Sequence, residues 1–283
     1  MLRVQFRCSQ NSSAIFSKPI LKCQPFNYVD HLLHRDLSIE ILVRSAFNLI
    51  DTVTLKSMND FEIIVDSSDY LGFSAKKYHD KLFPDFNFDK WVEVGNDDYH
   101  DITQKMLIES NKPPEFQQLY WIGSYDCHWS RRKLGELTRK DDRIDIVNVN
   151  NWHWNDNLKR AVTNNGKYTS LLDHCKFKYL IDFQGYGYSG RTKYLLHSGR
   201  PLFYVLRDWN EYWYFDMKPM VHFIPVKSDL SDFYEKFEWA ENNYNKAVEI
   251  ANNGKQFAID NLKRSDAIDR YKQILIREGT KNV

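Results

Sequence analysis

The chain has 283 residues, 42% of them hydrophobic and 27% charged, which suffices for the core of one large domain or two smaller ones. A formal net charge of +1 leaves no basis for a nucleic-acid or membrane binder that works by bulk charge. No apolar run reaches the roughly 20 residues of a membrane span, and Cys8, Cys23, Cys127 and Cys175 lack a C-x-x-C pair, so they read as reduced thiols rather than a disulfide framework.

In chain order, the basic N-terminus has no acid before Asp30 and no continuous apolar stretch of a signal peptide. It reads as plain strand and loop. The C-terminal residues do not form a retention signal, and the expected location is cytoplasmic. Residues 37–50 suit a helix. Phe61–Val65 is a short apolar strand that runs into Asp66, Ser67, Ser68 and Asp69. The stretch 84–115 is rich in Pro, Asn and Asp and reads as irregular. Leu119–Ile122 is a strand, Ser130 caps a helix through Lys140, and Ile144–Val149 is a strand. Asn164-Asn165-Gly166 marks a turn between lobes.

The second half is clearer. Strands are predicted at 178–183, 201–206 and 221–226, with a helix over 190–198. Ser231 caps a helix whose apolar positions Phe233, Phe237, Ala240, Tyr244 and Val248 repeat at helical spacing, with Gly254 as its C-cap. A last helix spans Gln256–Arg277. Strands alternating with helices imply an α/β fold with parallel sheets, in which ligands bind beyond the carboxyl ends of the strands. Asp69 and the turn at 184–193 both fall at such ends. The dense aromatics, 15% of the chain, fill a core or offer platforms for sugars.

The turn has three readings. Gly185-x-Gly187-x-x-Gly190 follows a strand and precedes a helix, and Asp208 lies just past the next strand. That is the layout of a dinucleotide fingerprint and of an NAD(P)-dependent oxidoreductase. A glycine-rich connection into a solvated basic helix is the plain structural alternative. The third is a nucleotide-sugar site, in which Arg191 and Lys193 neutralise a diphosphate.

The segment as a whole resembles glycosyltransferase family 90, which includes lipopolysaccharide core and capsule-associated transferases and protein O-glucosyltransferases. The resemblance rests on Lys178-Tyr179-Leu180, on Ser189-Gly190-Arg191-Thr192-Lys193, on Lys218-Pro219 with His222, and on the run Pro225 to Asp232. Fainter likeness extends over residues 60–140. The chain departs from the family pattern at Leu71 (usually Pro), Ile122 (usually Arg) and Arg200 (commonly Ser). The resemblance implies a GT-B-like fold with two Rossmann-like lobes whose parallel sheets face a central cleft. Residues 1–150 would form the acceptor-side lobe and 151–255 the donor lobe, with a C-terminal helix over 256–283 packing back on the first.

The implied activity is inverting transfer of a hexose or xylose from a UDP-sugar to a hydroxyl of a glycan acceptor, such as lipopolysaccharide core or a lipid-linked oligosaccharide, with peripheral contact at the inner membrane face. Asp69 would be the catalytic base. Gly185, Gly187, Ser189, Gly190, Arg191, Lys193, Ser228 and Asp229 would serve the donor diphosphate, and Gly123, Ser124, Arg131 and Arg132 the acceptor side. With no Asp-x-Asp triplet in the sequence, no metal is expected, and no cofactor beyond the UDP-sugar co-substrate. A non-catalytic nucleotide-sugar-binding relative is the other outcome of the same resemblance.

Overall fold

The computed structural model describes residues 1–7, 19–25, 33–67, 82–149, 152–155, 157, 160–163 and 167–281. In the first strand, β1 (Leu2–Arg7), Leu2, Val4 and Phe6 are buried while Arg3, Gln5 and Arg7 are not. A strict two-residue alternation buries one face only, which suits an antiparallel sheet better than the middle of a parallel one. Accordingly β1 pairs antiparallel with both β2 (Ile20–Pro25) and β3 (Phe61–Val65). The buried face packs on helix α1 (Leu33–Asn48), and α2 (Thr52–Ser57) follows, capped by Asp51. The N-terminal layer is therefore a small antiparallel sheet, where a second parallel sheet was expected.

The stretch 84–115, expected to be irregular, is so in its first part and helical in its second. Residues 82–98 form a strap with two single 3-10 turns, and helix α3 (Tyr99–Glu109) follows, its first turn capped by Asp98, which accepts from the Asp101 amide at 2.8 Å. The strap is fixed by aromatic side chains. Tyr99 packs on Phe88 and Tyr194, and Trp91 packs on Tyr194. Tyr194 Oη donates to the Asn87 carbonyl at 2.7 Å, and Tyr99 Oη to the Leu262 carbonyl at 2.6 Å. Much of the aromatic surplus is thus core rather than sugar platform.

The remaining chain builds one parallel sheet from β4 (Phe116–Gly123), β5 (Ile144–Asn148), β8 (Phe177–Asp182), β9 (Leu202–Val205) and β10 (Ile224–Val226), in the order β10-β9-β8-β4-β5. Between β5 and β8, β6 (Trp152–Asn155) and β7 (Arg160–Thr163) form an antiparallel hairpin; Asn164-Asn165-Gly166 lies outside the described residues. Because β4 and β5 belong to the same sheet as β8 to β10, the chain does not divide into lobes at residue 150. On one face Trp121, Tyr179, Ile181, Phe203 and Val205 meet α4 (Trp129–Leu137) and α6 (Phe233–Asn242). On the other, Leu180, Leu202 and Tyr204 share a core with α3 and α5 (Thr192–His197).

The single helix expected after Ser231 is two: Asp232 stands at the N-cap of α6, and the chain breaks at Asn243 before α7 (Tyr244–Asn261). Gly254 is inside α7 and not its cap. Its missing side chain lets α7 approach the 218–222 turn, since a Cβ there would stand 2.4 Å from the His222 carbonyl oxygen. His222 lies in that turn, its Nδ1 accepting from the Lys218 amide at 3.1 Å. The last helix, α8 (Arg264–Gly279), packs against α1. Arg200, a departure from the family pattern, is a staple: its guanidinium donates to the Cys175 and Lys112 carbonyls at 2.7 and 2.6 Å. Gly254→Ala should lower stability by about 1–3 kcal/mol through the forced shift of the turn; a thermal melt within error of the unaltered chain would show that the contact relaxes freely.

Candidate functional site

Counted by first appearance, the parallel strands lie in the order second, first, third, fourth, fifth, so the direction of the winding reverses between β4 and β8. In open α/β sheets the crevice beyond the carboxyl ends of the strands at such a reversal is where ligands bind. Here it is bounded by the loop after Gly123 and the glycine turn after Asp182. At Gly123 a Cβ would stand 2.6 Å from the Trp121 ring, so glycine lets the indole fold back beneath the loop.

Two arginines far apart in sequence tie the loops together. Arg191 donates from Nη1 to the Ile122 carbonyl at 2.7 Å. Arg131 donates from Nε to the Gln184 carbonyl at 2.8 Å and from Nη1 to the Ser124 carbonyl at 3.0 Å. Both guanidinium groups lie over the Trp121 ring, at 5.1 Å for Arg131 and 5.8 Å for Arg191. The departure at Ile122 is thereby accommodated, because the contact to Arg191 uses the backbone carbonyl of that residue. Burial lowers the Arg131 value to about 10, with Arg191 and Arg207 adding to the shift against Cys127, and burial also lowers that of Arg191. A guanidinium so placed remains charged and is poorly hydrated.

At the end of β8 the fully buried Asp182 accepts from Ser189 Oγ at 2.8 Å, from Thr192 Oγ1 at 2.5 Å and from Arg207 Nη2 at 2.7 Å. Burial alone would raise its pKa; Arg207 and Arg191 outweigh burial and hold it below the ordinary value. Sequence reading missed both Asp182 and Arg207. An acid closing an apolar strand was the signal available for Asp182; Arg207 offered none. Beyond these strand ends lies a cleft of about 370 Å³ lined by His128, Trp129, Gln184, Arg207, Asp208 and Ser228, among others. Burial and the nearby Arg131 lower the pKa of His128, favouring its neutral form.

The predicted residues divide. Gly123, Ser124, Arg131, Gly185, Gly187, Ser189 and Arg191 gather at the β4–β8 crevice, and Ser228 lines the cleft. The Ser189 hydroxyl is committed to Asp182. Gly190 lies beneath, where a Cβ would stand 2.4 Å from Asn87 Nδ2, and its carbonyl accepts from that amide at 3.1 Å. Lys193 is a correction. It is fully buried, with Nζ 2.7 Å from Glu211 Oε1 and 3.5 Å from Asp85 Oδ2, and faces the strap instead of the crevice. Residues two apart on a helix point different ways; α5 has already begun at Thr192, so Lys193 turns inward.

Arg132 also points away, paired on the surface with Asp126. Asp229 is an exposed turn acid, accepting from the Ser231 amide at 3.0 Å. Asp69 and Leu71 lie outside the described residues. The dinucleotide reading fails on topology. Its glycine fingerprint belongs on the turn after the first strand of such a sheet, whereas here Gly185 to Gly190 follow the third.

Fold and site thus define a parallel-sheet α/β protein with two buried arginines bridging the strand ends at the winding reversal. Residues 53–282 match the sequence profile of glycosyl transferase family 90, and the chain belongs to that family. It is 30% identical over 258 residues to protein O-glucosyltransferase 1 of Rattus norvegicus, a match covering 80% of this chain and 64% of that protein. With the O-glucosyltransferase rumi homolog of Aedes aegypti it shares 25% identity over 283 residues, 90% of this chain and 70% of that protein. The chain thus spans less than two thirds of the length of the rat relative. Among solved structures, Anabaena Alr3699/HepE in complex with UDP-glucose is similar at a TM-score of 0.39 and 8% identity, over 61% of this chain and 44% of that one.

The depressed pKa of Asp182 makes a pH prediction. The folded state holds this proton more weakly than the unfolded chain does, so the stabilisation is complete above the ordinary value of 3.8 and is lost as pH falls through the lower folded value. The stability gap between the unaltered chain and Asp182→Asn, from urea unfolding at a series of pH values, should be constant near neutrality and shrink in acid. A gap that widens in acid would contradict the assignment.

Proposed function

We propose that the chain is an inverting glycosyltransferase that moves glucose from UDP-glucose to an acceptor hydroxyl. The observation that carries the reading is the pairing of Arg131 with Arg191 across the β4–β8 crevice, in a chain of family 90. Two buried cations at strand ends are what a leaving diphosphate needs, because its charge grows as the bond to the sugar breaks. In this reaction Asp69 takes the acceptor proton as the acceptor oxygen bonds to the anomeric carbon. The bond from that carbon to the β-phosphate oxygen breaks, and its electron pair leaves with UDP. Arg191 bears the developing charge together with Arg131, which the sequence reading assigned to the acceptor side, and Ser228 lines the donor side of the cleft.

The names of the relatives, protein O-glucosyltransferases, support glucose as the sugar and favour a protein hydroxyl as acceptor over the lipopolysaccharide core suggested by the sequence alone. Among the described residues no helix is long and apolar enough to cross a membrane, and Cys23, Cys127 and Cys175 are free thiols. The free thiols suit the cytoplasmic location that belongs to this proposal.

UDP should bind the chain, and with UDP-glucose and a panel of peptide and core-oligosaccharide acceptors the chain should release UDP. Asp69→Asn should abolish transfer while UDP binding survives, and Arg191→Ala should cost on the order of 100-fold in turnover. Full transfer by Asp69→Asn would move the base elsewhere, and absence of UDP binding at millimolar concentration would overturn the reading.

A further inference from the structure

Three guanidinium groups gather beyond β4, β8 and β9, and one buried carboxylate answers them. Arg131 and Arg191 hold strand-end carbonyls. The third, Arg207, belongs to none of the sequence motifs. Its side chain is 2% exposed. Nε donates to Tyr204 Oη at 2.7 Å, and Nη2 donates to Asp182 Oδ2 at 2.7 Å and to Thr192 Oγ1 at 3.0 Å. Nη1 is buried and has no hydrogen-bond partner among the described residues, and Arg207 lines the cleft.

A guanidinium can only donate, so the partner of Nη1 must be an acceptor. A buried donor without one is costly, and the structure retains this one where a ligand is expected. The local charge specifies the kind of acceptor. Asp182, buried behind the cleft, offsets one of the three cations, while Asp208, the acid that lines the cleft, is exposed to solvent. The surplus of two matches the roughly two negative charges of a diphosphate esterified at both ends, and charge-assisted bonds are strongest away from water. The rest of the guanidinium is held by Tyr204, Asp182 and Thr192, so the group is fixed in place before any ligand arrives.

We propose that Arg207 is a third diphosphate ligand, donating from Nη1 to a phosphate oxygen of the nucleotide donor while Nη2 stays on Asp182. The assignment rests on reading the cleft as a nucleotide-sugar site. Asp182 is then a positioning residue, which orients Arg207 on one side and the Ser189 hydroxyl on the other.

The test compares UDP and uridine binding to the whole chain, by calorimetry for UDP and ligand-observed NMR for uridine. Arg207→Lys leaves a cation for Asp182 but removes the second arm, so UDP affinity should fall about tenfold with uridine affinity unchanged. The double variant Asp182→Asn/Arg207→Gln leaves neither buried charge unpaired and should show the same split. Unchanged UDP affinity in these variants, or an equal loss for uridine and UDP, overturns the assignment while the nucleotide-sugar reading stands. No UDP binding by the unaltered chain overturns both. A crystal structure of the unaltered chain with UDP needs no substitution: a phosphate oxygen should lie about 3 Å from Arg207 Nη1, and phosphate oxygens all beyond about 5 Å would overturn the proposal.

Discussion

A buried carboxylate at the end of a central strand holds this site together. Asp182 is fully buried, and such a group is tolerated only when its oxygens are satisfied and its charge answered. Arg207 supplies the charge from β9, and Thr192 and Ser189 supply hydroxyls from the start of α5 and the glycine turn. One side chain therefore fixes the relative positions of two strand ends, a turn and a helix start. The positions of Arg207 and of the glycine turn at these strand ends are thereby set by the fold itself.

A second buried ionic group works from below. Lys193 joins α5 to Glu211 and to Asp85 of the strap, and burial together with Asp85 pushes the Glu211 carboxyl up to about 7 against the pull of Lys193. Breaking such a group by removing one partner leaves a charge stranded in the core, which costs far more than the group contributes when whole. Asn87 reaches from the same strap to the Gly190 carbonyl, where only glycine leaves room. The strap thus supports the glycine turn from below, and the basic pair Arg191 and Lys193 splits into one residue for the crevice and one for the scaffold.

Donor and acceptor chemistry are resolved to different degrees by this arrangement. The proposed donor side uses backbone-anchored arginines at the winding reversal of one sheet, a position the topology dictates. Asp69, the base of the proposed reaction, follows β3 of the antiparallel layer along the chain. The chain belongs to family 90, and its relatives are named for transfer of glucose to proteins.

By itself the sequence determined the strands of the second half, the α/β class and the family, because these depend on short-range periodicity and on motifs contiguous along the chain. Gly254 as a cap, Lys193 as a phosphate ligand and the break at residue 150 were local readings that packing overruled. Only the tertiary structure decided that β4 and β5 join the donor sheet, that Asn- and Asp-rich residues 82–98 form an ordered strap, and that Arg131, Arg191 and Arg207 converge around Asp182. The physical reason is that charge and burial are properties of space. The cost of burying Asp182 is met by a guanidinium 25 residues away, and no spacing along the chain announces such a pair.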